Sequence, residues 1–132
     1  VQALCEANSG IRVLTNVSDM WNQMAKCDLA IAAAGSTMYE LCTMGVPTVC
    51  CYYVENQRRI AEGFAEQTSM LNAGDFSENP ENVLKAIAEE AKKLLAEYVL
   101  RKKLSEEMKT VSDGKGALRI ANMLSAYCER NL

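Results

Sequence analysis

Apolar and polar positions alternate in short blocks over the first two thirds of this chain and then settle into a three-and-four spacing. Ile11 to Val17 reads as a strand, and Ser18 or Asp19 is placed to cap a helix running through Lys26. Leu29 to Ala34 is a second strand of small and β-branched residues. Thr37 to Met44 has helical spacing, with Met38, Leu41 and Cys42 on its inner side, and Gly45 followed by Pro47 ends it. Thr48 to Val54 is an uninterrupted β-rich third strand. Asn56 opens another helix through about Gln67, and Ser69 to Asn72 makes a short fourth strand. Strands alternating with helices imply parallel pairing through right-handed crossovers, hence a doubly wound α/β sheet.

From residue 80 to residue 132 the pattern is all helical. Val83, Leu84, Ile87, Ala91, Leu94, Leu95 and Tyr98 form one apolar stripe, with Glu78 and Glu81 near its N-terminal end and lysines further along, as the helix dipole favours. Leu104, Met108 and Val111 continue the stripe after a bend. Asp113-Gly114-Lys115-Gly116 interrupts it, and Leu118, Ile120, Ala121 and Leu124 restart a final helix. At the other end Val1, Leu4 and Cys5 have helical spacing ahead of an Asn8-Ser9-Gly10 stop, with no residue in front to cap them. The expectation is a single partial domain, residues 1–132, cut from a longer protein.

The chemistry concentrates where the second strand meets its helix, through Gly35, Ser36 and Thr37. Glycine lets the backbone turn sharply and approach a ligand, and the unpaired N–H groups of a helix's first turn attract anions. Glu40 follows one turn later. Thr37 and Glu40 also fit a T-x-x-E capping box, in which the carboxylate bonds back to the backbone. Asn56, beside Gln57, equally reads as an ordinary N-cap. Lys115 reads as a solvated turn residue, Met20, Met24, Met38 and Met44 as core fillers, and Tyr52 and Tyr53 as strand packing or, for one of them, a base-stacking ring.

Composition narrows the class. With 132 residues, 49% of them apolar and 6% aromatic, the chain suits a compact α/β unit with an aliphatic core. A net charge of -3 offers no electrostatic footprint for nucleic acid. No apolar run is long enough for a membrane span. The six cysteines have no disulfide-framework spacing, and with no histidine and no CxxC pair a zinc site is not expected. A reducing cytoplasm is the expected setting. The absence of GxGxxG argues against a nicotinamide or flavin cofactor.

Four blocks in order carry a family resemblance: Cys27 to Glu40, the helix exit from Leu41 to Pro47, Asn56-Gln57, and the run from Asp113 to Ile120. Together they resemble the nucleotide-sugar hydrolases of pseudaminic acid biosynthesis and their spore-coat polysaccharide relatives. A more distant resemblance is to the donor domain of the peptidoglycan N-acetylglucosaminyltransferase. The resemblance implies a two-lobed GT-B parent of which this chain is a truncated C-terminal lobe, a Rossmann-like parallel sheet of three or four strands with flanking helices. It implies UDP or a UDP-sugar as ligand, with Gly35, Ser36 and Thr37 at the pyrophosphate, Glu40 accepting from the ribose hydroxyls, and Asn56 and Gln57 near the phosphates or sugar. No catalytic residue is expected here, because in the hydrolase branch the base is thought to lie in the N-terminal lobe.

The same resemblance implies that two central strands of the lobe precede Val1. Their loss predicts unpaired sheet edges, resolved either by a homodimer through those edges or by Ile11 to Val17 pairing beside Leu29 to Ala34. The function expected is UDP-sugar binding for a hydrolase. The alternatives are the donor domain of a glycosyltransferase and, in another class, a non-catalytic interaction domain.

Overall fold

The computed structural model describes residues 8–131, so the helix expected around Val1 to Cys5 lies outside the described residues. The elements are α1 (Met20–Met24), β1 (Ala30–Ala33), α2 (Thr37–Met44), β2 (Thr48–Tyr52), α3 (Glu55–Gln67), β3 (Asn72–Asp75), α4 (Pro80–Ala96), α5 (Tyr98–Val111) and α6 (Gly116–Asn131). The three strands form one parallel sheet in the order β1-β2-β3, with helices flanking it, a Rossmann-like α/β arrangement. In register, Ala30 faces Thr48 and Ala33 faces Cys51. The β2–β3 ladder is irregular between Cys50 and Tyr52, and Gly74 takes up a positive φ opposite that irregularity.

β2 is the centre of the core. Its residues from Thr48 to Cys51 are all buried, as a strand covered on both faces requires, and Val49 and Cys50 pack with Met38, Cys42, Phe64 and Met108. Burial pushes the Cys42 thiol up to about 11 and the Cys50 thiol to about 12, so these cysteines act as small hydrophobes rather than nucleophiles. β1 differs. Alternate residues are half-buried and exposed, and Ile31 and Ala33 open onto a groove of about 320 Å³ that α4 only partly covers. The outer edge of β1 has no neighbouring strand among the described residues.

Several sequence expectations are corrected here. Ile11 to Val17 is not a strand; it runs exposed and irregular, and it does not pair beside β1. A strand needs a ladder partner for its N–H and C=O groups, and apolar content alone does not supply one. The fourth predicted strand forms, but over Asn72–Asp75 rather than Ser69 to Asn72. Ser69 is instead held by Glu107 of α5, whose two carboxylate oxygens accept from its N–H and its hydroxyl. α3 begins one residue before Asn56, with Val54 at the N-cap position, so Asn56 is not the cap.

The long helical stripe breaks at Glu97, which has extended backbone, and Arg101 closes the end of α4 by donating to the carbonyls of Leu94 and Leu95 at 2.7 Å. Val83, Ile87 and Leu94 of that stripe are buried, whereas Leu84, Leu95 and Tyr98 are exposed. Of the methionines named as core, Met24 and Met38 are buried and Met20 is not.

Candidate functional site

The site is built on α2, and the packing of that helix fixes where its side chains point. Its apolar side, Met38, Leu41 and Cys42, faces the core. Its C-terminal end closes through Gly45, whose φ of 66° allows the Gly45 and Val46 N–H groups to reach the carbonyls of Cys42 and Leu41. A Cβ at Gly45 would displace the Lys109 side chain of α5, and the positive φ itself favours glycine there. Ser105 of α5 donates to the Gly45 carbonyl at 2.6 Å, and the hydroxyls of Thr43 and Ser112 meet at 2.9 Å. Gly114, also at positive φ, approaches so near that its Cβ would lie 2.9 Å from Cγ2 of Thr43. Asp113 beside it forms a two-pronged pair with Arg119 and accepts the Lys115 N–H, which holds its carboxyl at about 2, well below the usual carboxylate range. The Asp113-Gly114-Lys115-Gly116 block is thus a tight turn that clamps α2 and launches α6.

At the other end of α2 the polar groups are left open. Gly35 donates to the carbonyl of Ala33, and Met38 and Tyr39 donate to those of Gly35 and Ser36, but the N–H groups of Ser36 and Thr37 donate to no acceptor among the described residues. Ser36 sits at the N-cap position in helical conformation, and its hydroxyl makes no capping bond. The T-x-x-E capping box is not formed. Glu40 is exposed, and its carboxylate has neither a hydrogen bond nor an ion pair among the described residues. It faces a cavity of about 410 Å³ between α1, α2 and the Gly114 turn, whose other walls include Ser18, Trp21, Thr43 and Met44.

Gly35, Ser36, Thr37 and Glu40 are therefore brought together as two free backbone donors and, one helical turn on, a free carboxylate. Chemically, such a set can take an anion at the helix start and a vicinal diol at the carboxylate. No ligand space is taken up at Gly35 itself, where a Cβ would meet nothing within 4 Å.

The second junction, from β2 into α3, lies at the same end of the sheet because β1 and β2 run parallel. There Gln57 reaches back, and its Oε1 accepts the N–H of Tyr53 at 3.0 Å, leaving only its Nε2 to donate outward. Asn56 is exposed with no bond of its own. Tyr53 packs on Phe76, ring centroids 5.0 Å apart, and does not border the Glu40 cavity. The aromatic side chain that does is Trp21, which sequence reasoning passed over; its one signal was a bulky ring on an otherwise polar stretch, Asn22-Gln23, of a short helix. Among the described residues no three Cys, Asp or Glu side chains converge as a metal site, and no helix is long and apolar enough to cross a membrane.

Comparison with known proteins places this geometry in context. The profile of a family described as a protein of unknown function (DUF354) matches residues 3–110. The spore coat polysaccharide biosynthesis protein SpsG of Bacillus subtilis (strain 168) is 28% identical over 132 residues, the whole of this chain. The chain spans 38% of that relative's length. No solved structure matches.

Proposed function

The chain belongs to the family described as a protein of unknown function (DUF354), and from that membership, the polysaccharide-biosynthesis relative and the open start of α2 we propose that it is a UDP-sugar-binding portion of a GT-B enzyme of polysaccharide or nonulosonic acid biosynthesis. One observation carries this reading: the unclaimed Glu40 carboxylate stands one turn from the unclaimed N–H groups of Ser36 and Thr37, at the rim of a cavity. In it the pyrophosphate lies at Gly35, Ser36 and Thr37, the ribose diol at Glu40, and the side-chain amides of Asn56 and Gln57 donate to the phosphates or sugar. The role is substrate positioning, with the chemistry supplied by another part of a longer protein.

The favoured reaction is hydrolysis, in which water attacks the anomeric carbon, the bond to the distal phosphate oxygen breaks and UDP leaves. In a transferase a hydroxyl acceptor takes the place of water. Measuring UDP release by the full-length protein without any acceptor separates the two, since only a hydrolase releases UDP at an undiminished rate. The free edge of β1 supports a companion proposal, that a strand from the rest of the protein or from a second copy pairs there.

A second reading, a non-catalytic interaction domain, has one observation in its favour. Leu118, Ile120, Met123 and Leu124 of α6 are all exposed, an apolar surface that suits packing against another protein. On that reading UDP does not bind, and Glu40→Ala has no ligand effect.

A further inference from the structure

Trp21 is the one tryptophan of the chain, and it stands 65% exposed on a five-residue helix. Tryptophan combines a broad apolar face with one N–H donor, which suits it to a contact at a site that is apolar on one side and wet on the other. Among the described residues its indole pairs with no other ring and its N–H donates to no acceptor. It is not astray on the surface, for it borders the same cavity of about 410 Å³ as Glu40. The rest of that lining is divided by chemistry. Met20, Met24 and Met44 supply soft apolar surface, and Glu40 supplies the sole charged side chain. A volume in the range of about 300–1,000 Å³ suits a small molecule rather than a peptide. An anion has no cation to meet inside; a neutral, flat ring attached to a diol meets apolar walls, an aromatic face and a carboxylate.

We propose that Trp21 is the platform on which the nucleobase of the bound nucleotide stacks, with Glu40 holding the ribose and the phosphates directed toward the start of α2. This rests on the nucleotide-binding reading above and adds to it the residue that recognises the base. Stacking on an indole face tolerates many rings, so Trp21 supplies affinity for the base, while discrimination among bases falls to hydrogen bonds at its edge.

Because Trp21 is the chain's sole tryptophan, it reports on itself. The test is a fluorescence titration of the protein with UDP, uridine and ribose 5-phosphate, run beside calorimetry on the same samples. The expected result is saturable quenching of Trp21 emission by UDP and uridine, and none by ribose 5-phosphate, which has the diol without the base. Trp21→Ala weakens UDP about 10–100-fold, the range for losing one stacked base, and leaves ribose 5-phosphate unaffected. Trp21→Phe restores binding to within about threefold, since a smaller ring still stacks. An exposed side chain makes both variants safe to fold, and a thermal melt checks it. If calorimetry shows UDP binding while emission stays constant and Trp21→Ala binds as tightly as the parent, the platform is refuted and the nucleotide site stands. If calorimetry shows no UDP binding at millimolar concentration, both are refuted together.

Discussion

The chain passes twice from a strand into a helix, from β1 into α2 and from β2 into α3; both helix starts leave backbone N–H groups without acceptors among the described residues, and the two differ in what their side chains do. At the first, Ser36 and Thr37 leave their N–H groups without acceptors and Glu40 stands without a partner. At the second, Gln57 bonds back to the Tyr53 N–H, and the charges that follow are taken up locally, Arg58 between Glu55 and Glu62. Both junctions sit at the same end of one parallel sheet, so topology does not distinguish them. What does is whether the side chains at the helix start are engaged: Glu40 has no partner among the described residues, whereas Glu55 pairs with Arg58 and Gln57 bonds back to Tyr53. Parallel sheets offer several helix starts of this kind, and a ligand is expected at the one whose carboxylate is left unengaged.

The largest break in this comparison is Glu40→Gln. The carboxylate makes no hydrogen bond or ion pair among the described residues, so the stability is expected to move by less than about 0.5 kcal/mol, the usual range for a free surface position. Loss of charged hydrogen bonds to a diol costs about 1.5–3 kcal/mol of binding, roughly 10–100-fold, measurable by calorimetry with UDP. Next comes Gly35→Ala. Its Cβ enters open space and its backbone is not left-handed, so the fold is kept, while the methyl intrudes where the pyrophosphate approaches and UDP weakens about tenfold.

At the second junction Gln57→Ala acts the other way. It removes the acceptor of the Tyr53 N–H and costs about 1 kcal/mol in a denaturant melt, and Gln57→Glu, which keeps an acceptor there, restores that stability. The smallest effect belongs to Asp113. Its pairing with Arg119 depresses its folded pKa, so its contribution to stability is complete above the unfolded value of roughly 3.9 and is lost as the pH falls through about 2. A carboxyl-carbon NMR titration finding an ordinary midpoint for Asp113 would show that the pair does not form in solution.

Much of this was legible in the residues, and the failures share a cause. Thr37 to Met44 was readable to its ends because Gly45 and Pro47 punctuate it locally, and the strand read as Thr48 to Val54 forms over Thr48–Tyr52, its start and core legible because buried parallel strands are continuously apolar. Ile11 to Val17 was misread because strand formation depends on a partner that no local pattern encodes. The same limit applies to side chains. The types at Gly35, Ser36, Thr37 and Glu40 marked a site, yet only the fold shows that the competing capping box does not form. Trp21 escaped notice because its place on the cavity depends on how α1 docks beside α2.

The central claim, that a nucleotide binds chiefly at the first junction, where Glu40 is unpartnered, and less at the second, where Glu55 and Gln57 are engaged, is tested most directly by an amide NMR titration with UDP, with AMP as control. The account predicts saturable shifts from UDP at Gly35, Ser36, Thr37 and Glu40, a smaller response at Asn56, and little change at Tyr53, whose N–H is already bonded. Well-dispersed signals that do not respond to UDP, or shifts centred on Tyr53 and Gln57 instead, would contradict it.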